Sequence, residues 1–144
     1  MSSLNKAIEI AYIAHEGQVD KGGSPYISHP IRVMNSVESP EAKIVGVLHD
    51  AIEDSDLTFS DLQKQGFSEE IIEAIDALTK RSQEKYPDYL QRVKNNSIAV
   101  QVKLADLKDN CDLSRISEPT KKDFQRIEKY KQAILELKHT SNVN

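Results

Sequence analysis

The segment SIAVQVKLADLKDNCDL, residues 97–113, decides the fold. Within it, AVQVKL alternates between apolar and polar residues, a pattern that is compatible with a β-strand. The apolar positions continue through Leu104, Ala105 and Leu107, and this spacing favours a helix instead. Since no other part of the chain shows a convincing strand pattern, the sequence predicts an all-α fold.

Helical spacing and helix-start residues recur along the rest of the chain. Apolar residues at helical intervals predict a first helix over residues 4–16, ending at Gly17. Residues that suit the start of later helices are Pro30, Ser68, Pro87 and Pro119. We expect the last, highly charged helix to end near Lys138. The length predicts one domain over residues 1–144.

The last predicted helix carries an apolar stripe at helical spacing. The stripe is assigned to core packing, and the alternative is a contact between two copies of the chain in a homodimer. Its members are Phe124, Ile127, Tyr130, Ile134 and Leu137.

The composition excludes several classes of protein. The chain has 38% hydrophobic and 29% charged residues and contains no run of about 18 apolar residues, so no membrane span is expected. Its net charge of −4, without a basic cluster, argues against a nucleic-acid partner. The single cysteine, Cys111, suits a reducing compartment, and the N-terminus lacks signal-peptide features. These observations predict a cytoplasmic protein.

The segment VLHDAIED, residues 47–54, places four ionisable residues in an otherwise apolar run. On a helix with about 100° per residue, His49, Asp50, Glu53 and Asp54 share one face. Any surface helix also has a polar face opposite an apolar one. This segment alone therefore does not distinguish a binding site from a solvated helix face.

Asp106 indicates that this part of the chain forms a site. It lies on a predicted helix that is apolar on nearly every side, and such a helix is buried. A buried carboxylate must be neutral, paired or bound to a metal, and an ion pair with Lys103 or with an arginine is the alternative to a metal. Asn110 lies one turn further on the same face. His29 precedes Pro30, which restricts its backbone.

Two histidines and two aspartates form a mixed nitrogen and oxygen donor set. Such a set suits Mn²⁺, Fe²⁺ or Zn²⁺ better than Ca²⁺. A metal ion with open positions can bind a phosphoryl oxygen and lower the pKa of a bound water. Glu53 and Asp54 could orient that water or act as general acid and base.

Four motifs in this order resemble the HD-domain metal-dependent phosphohydrolases. More narrowly, they resemble the hydrolase domain of the Rel/Spo alarmone enzymes and their small stand-alone relatives. The resemblance covers most of residues 7–115. The motifs are AHEGQ (14–18), KGGSPYISHP (21–30), LHDAIED (48–54) and VKLADLKDN (102–110).

The resemblance implies a fold, a reaction and roles for single residues. The fold is a compact HD-type helical bundle, and the reaction is the removal of pyrophosphate from the 3′ position of guanosine tetra- or pentaphosphate with Mn²⁺. Glu53 and Asp54 handle the attacking water, while Lys21 and Asn110 lie near the nucleotide. The implied metal ligands are His29, His49, Asp50 and Asp106.

The chain departs from the family pattern at two substrate-facing places. Asp20 stands where the family usually has arginine, and Cys111, Asp112 and Leu113 replace a typical Met-Arg-Thr. Arg115, one turn further along, could replace the lost positive charge. Two alternatives to alarmone hydrolysis therefore stay open. One is a phosphohydrolase for another nucleotide or phosphoester, and the other is a catalytically silent module that binds a nucleotide or a protein.

Overall fold

The computed structural model describes residues 3–142, with side chains as far as His139. Within that range the all-α prediction is confirmed, since the extended backbone pairs only in one isolated bridge between Val19 and Pro25. The helices are α1 (Leu4–Ala14), α2 (Ser28–Asn35), α3 (Pro40–Leu48), α4 (Ala51–Asp54), α5 (Phe59–Lys64), α6 (Glu69–Leu78), α7 (Tyr86–Lys94), α8 (Ser97–Asn110) and α9 (Lys121–Asn142), with a 3₁₀ turn at Leu113–Arg115.

The segment that decides the fold forms α8, the central helix of the bundle. The side chain of Asn96 caps its N-terminus by accepting a hydrogen bond from the Ala99 N–H. Helices α2, α3, α6, α7 and α9 all pack against α8. Its buried apolar residues are Ala99, Val100, Val102, Ala105 and Leu107. A helix that is apolar on nearly every side is therefore buried, as the sequence predicted.

Helices α2 and α3 pack closely because Gly46 has no side chain. A Cβ atom at Gly46 would lie 3.3 Å from the Met34 Cα and 3.4 Å from a Val33 methyl carbon. The space that a side chain at Gly46 would need is thus used by α2. None of the helices in residues 3–142 has the length and apolar character that crossing a membrane requires.

A continuous helix through VLHDAIED was expected, and this expectation is wrong. Helix α3 ends at Leu48, and α4 begins at Ala51 after a turn formed by His49 and Asp50. The Nδ1 atom of His49 lies 2.6 Å from the Gly46 carbonyl oxygen, which would accept the Asp50 N–H in an uninterrupted helix. The imidazole therefore competes with the backbone at the point where the helix breaks.

The apolar stripe of α9 enters the core except at its first member. Ile127 and Leu137 are buried, whereas Phe124 is 54% exposed, so its assignment to the core was wrong. In the first turn of α9 the buried residue is instead Asp123, which lies four residues before Ile127. Its carboxylate accepts the Thr120 N–H at 2.8 Å and pairs with Arg126 at 2.6 Å.

Candidate metal centre

Four residues from separate elements meet beside α8. His29 lies in the first turn of α2, His49 and Asp50 form the turn after α3, and Asp106 lies within α8. Each can offer one ligand atom, and these atoms all lie within 4.8 Å of one another. Both histidines and Asp106 are buried. The fold thus brings together the four residues that the resemblance implies as metal ligands.

The orientation of His49 suits a metal ligand. Its Nδ1–H donates to the Gly46 carbonyl, so in the neutral ring the Nε2 atom carries the lone pair. This Nε2 is buried and makes no hydrogen bond with any residue that the structure describes. It lies 3.1 Å from Asp50 Oδ2 and 3.4 Å from Asp106 Oδ1. A lone pair that faces two carboxylates needs a proton or a cation between them, and the donor set fits a divalent ion.

His29 is held in the orientation of a ligand by residues outside the cluster. Its Nδ1 lies 2.6 Å from Asp109 Oδ2, and its Nε2 lies 2.9 Å from Asp106 Oδ1. Arg32 in turn donates hydrogen bonds to both carboxylate oxygens of Asp109, at 2.7 and 3.0 Å. Carboxylate partners of this kind fix the tautomer of metal-binding histidines. Sequence reasoning missed Asp109 and Arg32, although Asp109 follows Asp106 by about one helical turn.

The two carboxylates of the cluster also have fixed partners. The Tyr26 hydroxyl donates to Asp50 Oδ2 at 2.6 Å. The Lys103 ammonium donates to Asp106 Oδ2 at 2.9 Å, and the Asn110 amide donates to Asp106 Oδ1 at 3.1 Å. The ion pair between Lys103 and Asp106, which the sequence offered as an alternative to a metal, is therefore present at the edge of the cluster.

The charges of the cluster stabilise one another. Burial alone would raise the pKa of Asp106, but the charge of Lys103, the hydrogen bond from His29 and the nearby His49 hold it well below its usual range. Burial alone would lower the pKa of His49, yet Asp50 and Asp106 raise it well above its usual value. The cluster therefore keeps its carboxylates ionised despite burial, as cation binding requires.

Glu53 and Asp54 lie on α4, one turn after Asp50, and both are exposed. The Glu53 carboxylate accepts the backbone N–H of Lys80, and the Asp54 carbonyl accepts the Gln18 amide at 2.7 Å. Desolvation and the charge of Asp50 raise the pKa of both carboxyl groups. The structure thus places two carboxyl groups with raised pKa values beside the ligand cluster.

A cavity of about 320 Å³ opens beside His29. Its lining includes all three predicted substrate residues, Lys21, Asn110 and Arg115. Gly22 allows the loop to approach the 3₁₀ turn, since a Cβ atom at Gly22 would collide with the Arg115 carbonyl oxygen. The cavity thus extends from His29 of the cluster along cationic and polar side chains.

The two departures from the family pattern have structural explanations. Asp20 folds the loop, since its Oδ1 accepts the N–H groups of Gly22 at 2.9 Å and Ser24 at 3.0 Å. Arg115 lines the cavity but pairs with Asp112 at 3.0 Å and with the Asp109 carbonyl at 2.9 Å. The Arg115 side chain in the cavity lining is therefore a cation that is already paired with an acid.

Two further histidines lie outside the cluster. His15 is buried, and its Nδ1 lies 2.8 Å from the Gln18 side-chain oxygen. Its ring lies 5.0 Å from that of Tyr26, measured between centroids. His139 is exposed on α9. His15 therefore has the surroundings of a structural, hydrogen-bonded histidine.

Comparison with curated proteins finds several relatives. Over 82 residues the chain is 42% identical to a guanosine-3′,5′-bis(diphosphate) 3′-pyrophosphohydrolase of Borreliella burgdorferi, a match that covers 54% of this chain and 12% of the relative. Over 89 residues it is 34% identical to the bifunctional (p)ppGpp synthase/hydrolase SpoT of Escherichia coli, covering 59% of this chain and 12% of SpoT. The resemblance to Rel/Spo-type hydrolases is confirmed. The chain spans about an eighth of the length of these relatives.

A solved structure has the same fold. It is described as a metazoan ortholog of SpoT that hydrolyses ppGpp, and it superposes with a TM-score of 0.76. The match covers 95% of this chain and 85% of the other at 20% sequence identity. No family model matches the chain. The HD-type helical bundle is therefore confirmed as the fold.

Proposed function

We propose that this chain is a metal-dependent phosphohydrolase that removes pyrophosphate from the 3′ position of guanosine tetra- or pentaphosphate, with Mn²⁺ as its ion. The observation that carries the proposal is the cluster of four ligand atoms within 4.8 Å, including the unpartnered His49 Nε2. The names of the relatives support the choice of substrate.

The ligands would be His29, His49, Asp50 and Asp106. A divalent ion held there supplies a Lewis acid for a phosphoryl oxygen and lowers the pKa of a bound water. Asp109 keeps the His29 ring in position, and the Tyr26 hydroxyl does the same for Asp50. Mixed nitrogen and oxygen donors without thiolate suit Mn²⁺, although they also suit Fe²⁺ and Zn²⁺.

Glu53 and Asp54 would handle the attacking water. The Lys80 N–H holds the Glu53 carboxylate in one orientation, which suits a residue that positions a water molecule. The raised pKa of both carboxyl groups brings them closer to neutral pH, where general acid–base catalysis is most effective. The pair therefore accepts the proton of the water and returns one to the leaving group.

The substrate would lie in the cavity beside His29. The exposed Lys21 supplies a cation for phosphate, Asn110 supplies an amide near Asp106, and Arg115 supplies a second cation in the lining of the same cavity. We also propose that residues 1–144 form one domain that works in the cytoplasm on a phosphorylated small molecule, without a nucleic-acid or membrane partner. A homodimer through α9 is the alternative role of its apolar stripe.

The test is pyrophosphate release by the purified chain with Mn²⁺ and guanosine tetraphosphate. Guanosine diphosphate, which lacks the 3′ groups, is the matched control substrate. Release from the tetraphosphate alone supports the proposal. Turnover only of other nucleotides or phosphoesters would favour the second candidate function, which the acid-paired Arg115 also favours. Bound Mn²⁺ without turnover of any substrate would indicate a silent binding module.

A further inference from the structure

Lys103 is a buried cation to which the proposed reaction assigns no role. Its Nζ lies 2.9 Å from Asp106 Oδ2, and the two side chains are 13% and 8% exposed. An ion pair at this depth is poorly screened by solvent, so its charge acts strongly on its surroundings. Lys103 must therefore influence any ion that Asp106 binds.

The two oxygens of Asp106 have different surroundings. Oδ1 faces the cluster, since it lies 2.9 Å from His29 Nε2 and 3.4 Å from His49 Nε2. Oδ2 accepts the hydrogen bond from Lys103. One oxygen is thus directed to the proposed ion, and the lysine occupies the other.

Lys103 is held in place from outside the metal centre. Its Nζ lies 5.1 Å from the centroid of the Tyr89 ring, at cation–π distance. The Tyr89 hydroxyl is fixed in turn by donating to the Leu78 carbonyl at 3.0 Å. Helices α6 and α7 therefore determine the position of the ammonium group, which does not depend on a bound ion.

We propose that Lys103 is a positioning residue of the metal centre: it restricts Asp106 to one ligand oxygen, and its charge weakens ion binding while it compensates Asp106 in the ion-free protein. This role rests on the metal centre proposed above. Two kinds of partner therefore surround the cluster. Asp109 strengthens ion binding by His29, whereas Lys103 weakens ion binding by Asp106.

Two effects of removing Lys103 oppose each other. Loss of a partner outside the ligand shell usually lowers metal affinity, because the ligand loses its orientation. Asp106 would keep its hydrogen bond from Asn110, however, so its orientation is retained. The repulsion between a single and a double positive charge a few ångström apart in a buried site is larger than one hydrogen bond. The electrostatic effect is therefore the larger one, and removal of the Lys103 charge should raise the affinity for the ion.

The experiment makes two measurements on each variant. Electron paramagnetic resonance of free Mn²⁺ gives the dissociation constant of the ion, and thermal unfolding in EDTA gives the stability of the ion-free protein. Lys103→Met and Lys103→Gln remove the charge, and Lys103→Arg keeps it. Lys108→Met makes the same chemical change on the exposed side of α8. We expect both neutral variants to bind Mn²⁺ at least about tenfold more tightly and to unfold at lower temperature in EDTA. Lys103→Arg and Lys108→Met should match the wild type.

The outcomes separate this role from the proposed function. If the wild type binds Mn²⁺ while the neutral variants bind it equally or more weakly, the role of Lys103 is overturned and the metal centre stands. If the wild type binds no divalent ion, the metal centre is overturned and the role of Lys103 with it. Lys103→Gln keeps a donor for Asp106, so it decides the question even if the methionine variant does not fold.

Discussion

The Nδ1 atom of His29 lies 2.6 Å from Oδ2 of Asp109, a residue 80 positions later in the chain. Asp109 thereby fixes the ring nitrogen that faces the cluster. The pKa of Asp109 lies well below its usual range, since the hydrogen bonds from His29 and Arg32 outweigh the opposing effect of burial. The carboxylate is thus ionised at neutral pH and increases the basicity of the imidazole.

Replacing Asp109 by asparagine should weaken Mn²⁺ binding about 10- to 100-fold, because His29 loses both a fixed tautomer and a basic partner. Isothermal titration calorimetry of the ion measures this. Asp88→Asn, on the exposed side of α7, is the matched control and should bind like the wild type. An unchanged affinity in Asp109→Asn would show that Asp109 does not act on the centre.

Replacing Glu53 by glutamine should leave Mn²⁺ affinity close to that of the wild type but lower kcat by at least about 100-fold. The reason is that Glu53 lies outside the ligand cluster and, in the proposed reaction, acts on the water. Steady-state kinetics of pyrophosphate release, together with an Mn²⁺ titration, separate the two properties. Glu73→Gln, on the exposed face of α6, is the control. Near-normal turnover in Glu53→Gln would refute the catalytic role.

Replacing Gly22 by alanine should destabilise the fold by about 1–3 kcal/mol, because the new Cβ meets the backbone oxygen of Arg115. The loop and the 3₁₀ turn must separate, which moves Lys21 away from Arg115 across the cavity. We therefore expect KM to rise more than kcat falls. Urea unfolding and substrate-concentration series measure both effects.

The control for this change is Gly66→Ala, which lies after α5 with a φ of 89°. Alanine is strained at that φ, so the variant should lose stability without a change in KM. A rise of KM in Gly66→Ala of the same size as in Gly22→Ala would contradict the local explanation.

Replacing Glu84 by glutamine should lower stability in a pH-dependent way. Glu84 contacts Arg92 at 2.7 and 2.8 Å, and Arg92 also caps α6 by donating to the Thr79 carbonyl at 3.0 Å. The hydrogen bonds from Arg92 and from the Arg81 N–H lower the pKa of Glu84 from 4.5 to about 2. A carboxyl group with a lowered pKa stabilises the fold above its unfolded pKa, and this contribution is lost as pH falls through the folded value.

Thermal unfolding of Glu84→Gln and of the wild type should therefore differ most above pH 4.5, and the difference should shrink between pH 4.5 and about 2. Glu73→Gln, on the exposed face of α6, is the matched control. A difference in Tm that stays constant down to pH 2 would mean that the ionised form of Glu84 is not what stabilises the fold.

The sequence predicted the helices and the buried position of Asp106 because both depend on local patterns. Apolar residues on most sides of α8 predicted its burial, and Pro30 restricted the backbone of His29. The break between α3 and α4 was not predictable from helical spacing, since it depends on the hydrogen bond from His49 to Gly46. A helical wheel assumes an unbroken backbone.

The partners of the ligands could not be predicted in the same way. Tyr26 meets Asp50 across 24 residues, and Arg32 meets Asp109 across 77 residues. Such contacts depend on how α2 packs against α8, and the sequence pattern contains no distance between helices. Lys103 was an exception because its contact with Asp106 lies within one helical turn.

The most direct test of the account is the Mn²⁺ stoichiometry of the wild type and of Asp106→Asn, measured by equilibrium dialysis with metal analysis of the protein. Asparagine preserves the shape of Asp106 but removes its charge. We expect one tightly bound ion per wild-type chain and loss of that ion in the variant, with circular dichroism showing that the variant is folded. Full Mn²⁺ stoichiometry and unchanged affinity in Asp106→Asn would contradict the proposed metal centre.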